Sequence, residues 1–229
     1  MVLEKIPTFS EVQTWANNNF VDAPLGRISR VNANLSWEVS DFSALDNWSA
    51  TLRSVASASL TGRPRRLRLY VDDGFANKVS RIISDVLTTH DSLGAFRITF
   101  KDVSYTNTDT SHALGIGLRE NNNGGFIGTG SDPAIAYYHK SNDDDYLTTS
   151  TSNDGSLEQI SDIDWGSNHD ITIEWDGADA RQLIDGVRKS SISHSESADY
   201  RPSIELIDDA YGSDNGDTIE VGEVIVEAL

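Results

Sequence analysis

Short segments in which apolar and polar residues alternate dominate the chain from about residue 34 onward, separated by Gly, Asn, Asp and Ser. Clear examples are 67–71, 96–100, 114–118 and 171–175, in which every second residue is apolar. Because side chains along a β-strand point alternately to its two faces, each segment has one face suited to a core. The pattern predicts an all-β fold, a sandwich or a barrel.

A hairpin and a bulge are predicted towards the end of the chain. Asp185 and Gly186 lie between two apolar segments, and this pair supplies the positive φ angles that a type I′ turn requires. In the last predicted strand the apolar positions change parity between 219–221 and 224–226. An extra residue in one strand produces such a change, so we expect a β-bulge at Gly222–Glu223.

The N-terminal part of the chain has a different pattern. Thr8 and Glu11 form a capping box, and apolar residues follow at helical spacing. This predicts a short helix over 9–18, which needs a partner surface because a single short helix is unstable in water. We therefore divide the chain into an N-terminal docking segment, 1–33, with a short helical or extended structure, and a β-domain, 34–229.

Composition narrows the class of protein. The 229 residues carry a net charge of −18, with 25 Asp and only five Lys. Such a surface suits high salt, where a short Debye length screens the repulsion between like charges, although an ordinary acidic protein is the alternative. The absence of Cys excludes disulfides and thiol catalysis, and the acidity argues against nucleic-acid binding. We expect a soluble protein, since no apolar run could span a bilayer and no signal-peptide pattern opens the sequence.

One stretch combines aromatic rings with planar polar groups, the combination that sugar recognition uses. Alternation places Tyr137 and Tyr138 on opposite faces of a strand, so at most one of them lines a groove. The alternative is a set of core aromatics beside acidic loops. The candidate ligand-binding residues are Tyr138, His139, Asn142, Asp144, Tyr146 and Trp165.

A second cluster offers oxygen ligands in a predicted loop. Calcium takes six to eight such oxygens, so a Ca²⁺ site is the one cofactor that the sequence suggests, with solvated acidic residues as the alternative. The five His residues lie too far apart in sequence for a zinc-binding spacing. The candidate metal ligands are Asp208, Asp209, Asp214, Asn215 and Asp217.

Two segments resemble a known hairpin. Residues 165–177, WGSNHDITIEWDG, followed by LIDGV at 183–187, resemble the paired strands of the concanavalin A-like lectin/glucanase superfamily, in its laminin-G-like branch. Residues 46–49 with 57–60 resemble the opening strands of that fold, and residues 217–221 with 224–226 resemble its closing strand. The resemblance implies a jelly-roll β-sandwich of two antiparallel sheets, with a ligand on the concave face or at the rim loops.

The resemblance extends over residues 35–229 and has two further consequences. It assigns 75–86 to a strand, although the apolar residues there have helical spacing. Retaining glucanases of the superfamily carry an E-x-D-x-x-E strand, whereas here only Glu174 and Asp176 lie together. We therefore predict a protein that is not an enzyme.

Three functions fit these features. The first is a non-enzymatic structural or adhesion module of a virus particle infecting a halophile, in a tail, turret or fibre, binding host-surface glycan or another virion protein. The second is a lectin-like module on the cell surface of a halophile, and the third is a glycoside hydrolase with unfamiliar catalytic residues. For the first function we expect a location in the virion and a homo-oligomer, preferably a trimer. We expect neither nucleic-acid binding nor membrane insertion.

Overall fold

The structure is a computed structural model that contains only β-strands as regular elements in the part of the chain that it describes. The predicted helix at 9–18 lies outside that part. In the same part there is no helix long and apolar enough to cross a membrane. The described residues are 28–31, 34–40, 48–53, 56–61, 66–71, 78–84, 95–106, 112–120, 133–140, 144–150, 155–160, 163–195, 198, 200–208 and 217–229.

Seventeen strands lie within the described ranges. They are β1 (Ile28–Val31), β2 (Asn34–Ser40), β3 (Trp48–Arg53), β4 (Ala56–Thr61), β5 (Arg66–Val71), β6 (Lys78–Ser84), β7 (Phe96–Thr106), β8 (His112–Arg119), β9 (Ala134–Lys140), β10 (Asp144–Ser150), β11 (Gly155–Ile160), β12 (His169–Trp175), β13 (Asp179–Ile184), β14 (Val187–Ser193), β15 (Arg201–Asp208), β16 (Asp217–Val221) and β17 (Glu223–Ala228).

The strands form two antiparallel sheets. The ten-stranded sheet has the order β1-β2-β17-β7-β12-β13-β14, and β16 pairs with both β7 and β5, while β4 extends the sheet beyond β5. The seven-stranded sheet has the order β11-β10-β9-β8-β15-β6-β3. The prediction of an all-β jelly-roll sandwich is confirmed. Strand β1 pairs with β2, so residues 28–31 belong to the ten-stranded sheet.

The core lies between the sheets and is made by the alternating apolar positions. Leu69, Ile98, Ile116 and Ile173 are all fully buried in it, each from a segment whose period of two predicted a strand. The hairpin prediction is also confirmed, since Asp185 has φ of 51° and the following glycine has φ of 76°.

Strand β6 explains why its segment was ambiguous in the sequence. Its residues 80–84 are all buried, although successive residues of a strand lie on opposite faces of the sheet. A strand covered on both faces has no polar alternation, so periodicity alone does not distinguish it from a helix.

The parity change near Gly222 has a different origin from the predicted bulge. Glu220 pairs with Ser104 and Glu223 with Lys101, so the register along β7 is the same on both sides of the change. Strand β7 changes its buried face at the same level. The two strands therefore kink together, and neither has an extra residue relative to the other. The extra residue at this level lies in β7 opposite β12, where the register shifts between His169 and Ile171. Asp102, with φ of 53°, lies at the kink.

Candidate functional site

The side of the seven-stranded sheet that faces away from the core is called the outer face here. Strand register places one row of residues across it, from β11 to β6: Gln159, Tyr146, Tyr138, Gly115, Glu205 and Arg81. The residues next to them along the strands, such as Tyr137, Leu147 and Ile204, point into the core. Two partly exposed aromatic rings and a buried ion pair thus lie on the side of the sheet opposite the main core.

Tyr138 and Tyr146 form the aromatic part of the outer face. They lie directly opposite each other on β9 and β10, with ring centroids 6.0 Å apart and ring planes tilted by 32°. Both side chains are partly exposed. Burial raises the pKa of the Tyr138 hydroxyl and the neighbouring Tyr146 raises it further, so the hydroxyl keeps its proton at neutral pH. The pair offers a ring surface with hydroxyl groups at its edge.

Buried charges form the second part of the outer face. Glu205 is fully buried on β15, and Arg81 and Arg119 bind it from the strands on either side. The Arg81 Nε atom lies 2.7 Å from Glu205 Oε1, and Arg119 Nη1 also bonds Oε1. A buried carboxylate is costly unless cations and hydrogen bonds compensate it, and the two arginines supply both to Glu205. We did not predict this cluster from the sequence.

Of the six candidate ligand residues, only Tyr138 and Tyr146 are found together on the outer face. Two others lie elsewhere in the structure, and the side chains of the remaining two are not described. His139 lies inside the sandwich and Trp165 packs on its ring, with centroids 6.4 Å apart. Asn142 lies outside the described residues, as does the side chain of Asp144. The structure therefore separates Tyr138 and Tyr146 from the two other described candidates.

The interior group around His139 is a hydrogen-bonded network on Asp145, which is 1% exposed. Asp145 Oδ1 accepts a hydrogen bond from the Tyr137 hydroxyl at 2.5 Å and lies 2.7 Å from His139 Nδ1. Its Oδ2 accepts a hydrogen bond from the backbone N–H of Ile163 at 2.6 Å. Burial and then the Asp145 charge raise the pKa of Tyr137 well above its ordinary value. The network joins β9 and β10 to the segment that precedes β12.

Trp165 covers this network from that segment. Its ring packs against Tyr105, Tyr137 and His169 at centroid distances of 5.6, 6.0 and 5.7 Å. In this position the indole is partly buried and packs against the main core.

His169 connects the same segment to the β13–β14 hairpin. Its Nδ1 lies 2.7 Å from Asp185 Oδ2, and its Nε2 lies 2.9 Å from the backbone oxygen of Asp164. Partial burial disfavours the charged ring, but the Asp164 oxygen and the Asp185 carboxylate outweigh it and raise the pKa of His169. Both neighbours are acceptors, so only the doubly protonated ring donates to both.

The candidate metal ligands lie mostly outside the described residues. Asp217 is 1% exposed at the start of β16, and Asp208 ends β15, where its side chain is not described. The residues Asp209, Asp214 and Asn215 lie outside the described ranges. Within those ranges there is no group of three His, Cys, Asp or Glu side chains that could hold a metal ion. The Ca²⁺ site stays a prediction.

Comparison with known proteins places the fold. No family model matches the chain, and no curated protein matches it. Among solved structures, the carbohydrate recognition domain of Emp47p has a TM-score of 0.57 at 11% identity, covering 86% of this chain and 98% of that one. A glycoside hydrolase family 16 endo-glucanase from Bacteroides ovatus has a TM-score of 0.61 at 11% identity, covering 82% of this chain and 98% of that one.

A third similar structure is the carbohydrate recognition domain of Emp46p in a potassium-bound form. Its TM-score is 0.53 at 12% identity, covering 80% of this chain and 88% of that one. The chain therefore has the concanavalin A-like lectin/glucanase fold, as its sequence resemblance implied.

The prediction that the protein is not an enzyme is wrong. It rested on the absence of an E-x-D-x-x-E strand, but the endo-glucanase from Bacteroides ovatus has the same fold. A fold of this kind carries both recognition domains and hydrolases, so the missing motif does not exclude activity.

Proposed function

We propose that the protein binds carbohydrate on the outer face of the seven-stranded sheet, with Tyr138 and Tyr146 against the sugar rings. The observation that carries the proposal is the partly exposed tyrosine pair, 6.0 Å apart, on the side of the sheet opposite the main core. The apolar side of a sugar ring packs on an aromatic ring, and the hydroxyl groups bond to polar groups at its edge. Support also comes from the fold, which carbohydrate recognition domains and a glucanase share.

The test is a panel of soluble oligosaccharides titrated against the protein by calorimetry, with product analysis of each mixture. The substitution Tyr138→Ala removes an aromatic contact that contributes about 1.5–3 kcal/mol to binding. We therefore expect the affinity for the oligosaccharide to fall by about 10- to 100-fold. Tyr70→Ala is the matched control, because Tyr70 is also a partly exposed strand tyrosine but lies in the ten-stranded sheet.

The outcomes separate clearly. Binding or cleavage of a glycan that Tyr138→Ala weakens and Tyr70→Ala does not supports the proposal. Absence of binding and of product across the panel overturns it. So does a glycan whose affinity is unchanged by Tyr138→Ala.

We further propose the finer setting suggested by composition, a glycan-binding part of a virus particle that infects a halophile. The support is the excess of Asp over Lys in a chain of net charge −18. Mass spectrometry of purified particles tests the location. An unfolding midpoint that does not rise between about 0.1 M and about 3 M KCl contradicts the halophilic part, because screening then has no effect on stability.

A further inference from the structure

Two polar side chains lie among the apolar residues on the inner face of the ten-stranded sheet. Ala180, Gln182 and Ile184 alternate along β13 and are all buried, and Gln182 pairs with Ile173 of the core. Ser190 lies directly opposite Gln182 on β14. Gln182 is 0% exposed and Ser190 is 5% exposed. Because paired residues of neighbouring strands lie on the same face of a sheet, both side chains point between the two sheets.

The polar atoms of this pair are not bonded within the protein. In the part of the chain that the structure describes, the Nε2 and Oε1 atoms of Gln182 and the Oγ atom of Ser190 are buried without a hydrogen bond. No other described residue contributes more than one such atom. Buried amide and hydroxyl groups are costly when they are left unbonded. The pair therefore requires a ligand that both donates and accepts hydrogen bonds.

The backbone beside the pair is irregular. Leu183 pairs with Arg188 and Gln182 pairs with Ser190, so Lys189 is an extra residue in β14. The extra residue of a β-bulge disrupts the hydrogen-bond ladder locally. The ladder between β13 and β14 is therefore disrupted at the level of the two unbonded side chains.

The pair is also close to solvent. Within the described sheets, β14 is an edge strand of one sheet and β11 is an edge strand of the other. The two edges meet here, because Glu158 Oε2 on β11 accepts a hydrogen bond from the backbone N–H of Ser191 at 3.0 Å. Glu158 is partly exposed, and Ser191 directly follows Ser190. The buried pair is therefore adjacent to a partly exposed edge of the sandwich.

We propose that Gln182 and Ser190 bind ordered water inside the sandwich at this edge. Water both donates and accepts, so it satisfies the amide N–H, the amide oxygen and the hydroxyl group together. A buried water typically makes about three hydrogen bonds to polar groups that the protein leaves unbonded. A cation does not match the site, because the amide nitrogen donates. The site is separate from the outer face, so it does not depend on the proposed function.

The test is NMR of the whole protein labelled with ¹⁵N in the glutamine side chains. The chain has three glutamines, so three side-chain NH₂ signals are expected. Gln159 is the matched control, because it is an exposed glutamine on β11. Gln182→Met and Gln159→Met assign the two signals by removing them. We expect the Gln182 NH₂ group to give a cross-peak with water that has opposite signs in NOE and ROE spectra. This sign change distinguishes a bound water from proton exchange, and we expect Gln159 to lack it.

The unfolding midpoint of Gln182→Met gives a second readout. Methionine has about the volume of glutamine but no amide. If the amide were unbonded, its replacement would remove the cost of two buried polar groups and raise the midpoint by more than about 4 °C. Since we infer that water bonds the amide, we expect a smaller rise or a fall.

A bound-water cross-peak at Gln182 that Ser190→Ala weakens supports the inference. Absence of this cross-peak, or an equal one at Gln159, overturns it. An intensity that Ser190→Ala leaves unchanged overturns the role of Ser190, and a midpoint that rises by more than about 4 °C in Gln182→Met overturns the bound water. If Gln182→Met does not fold, Gln13→Met and Gln159→Met assign the Gln182 signal by elimination.

Discussion

The buried carboxylate of Asp145 gives a sharp test of the interior network. It accepts hydrogen bonds from Tyr137 and from the Ile163 N–H, and His139 Nδ1 lies within bonding distance. Asp145→Asn keeps the size of the side chain but replaces one oxygen by an NH₂ donor. The backbone N–H of Ile163 always donates, so the amide oxygen must face it. The NH₂ group then faces the Tyr137 hydroxyl and His139 Nδ1. Both atoms would have to accept a hydrogen bond from it instead of donating one.

The magnitude follows from the three bonds. Hydrogen bonds to a charged group contribute about 1.5–3 kcal/mol each, against about 0.5–1.5 kcal/mol for neutral ones. Converting three of the first kind into the second lowers the free energy of unfolding by about 3 kcal/mol, since each bond loses about 1 kcal/mol.

Urea unfolding followed by tryptophan fluorescence measures this loss, because Trp165 packs against the network. Asp176→Asn is the matched control. Its carboxylate also accepts two backbone hydrogen bonds, from Ala178 at 3.0 Å and Asp179 at 2.8 Å, but it is exposed, so water and the amide oxygen replace the lost acceptor. A loss for Asp145→Asn below about 1 kcal/mol would refute the reasoning that burial makes these bonds strong.

Two further predictions concern packing and pH. A Cβ on Gly117 would lie 2.5 Å from Ala136 Cα. Gly117→Ala is therefore expected to lower the free energy of unfolding, measured in urea, by at least about 1–3 kcal/mol. A variant as stable as the wild type would contradict this close packing. The raised pKa of His169 and the lowered pKa of Asp185 mean that their pair stabilises most between the ordinary values of 3.8 and 6.5. His169→Gln should therefore cost stability at pH 5.5 and progressively less as pH rises through the folded pKa of His169, and a pH-independent difference would contradict the pair.

The fold was predictable where one face of a strand is buried and the other is wet. The alternation in β5, β7 and β12 is visible in the sequence because exposed positions there are polar. The kink at Asp102 and Gly222 was not predictable as such, since a parity change in one strand does not show that its neighbour changes too. The sequence of one strand contains no direct information on its register with another.

The site was predictable only in part, and for a related reason. Tyr138 and Tyr146 were grouped because they are close in sequence, and a hairpin brings such residues together. Glu205 and Arg81 are 124 positions apart, and only strand pairing joins them. The available signal was a charged residue between apolar neighbours, since Glu205 lies between Ile204 and Leu206. An acid at such a position needs a buried partner, but the sequence does not identify it.

Sequence proximity also grouped residues that the sheet separates. His139 follows Tyr138 directly, and alternation places it on the opposite face, inside the sandwich. The alternation that allows only one of Tyr137 and Tyr138 to line a groove therefore separates His139 from Tyr138 as well.

The location of a bound sugar tests the central claim most directly. Crystals of the protein soaked with the tightest-binding oligosaccharide of the panel would show it. We expect sugar rings against Tyr138 and Tyr146 on the outer face of the seven-stranded sheet. A sugar bound only to the ten-stranded sheet, or only at the hairpin around Asp185, would contradict the account.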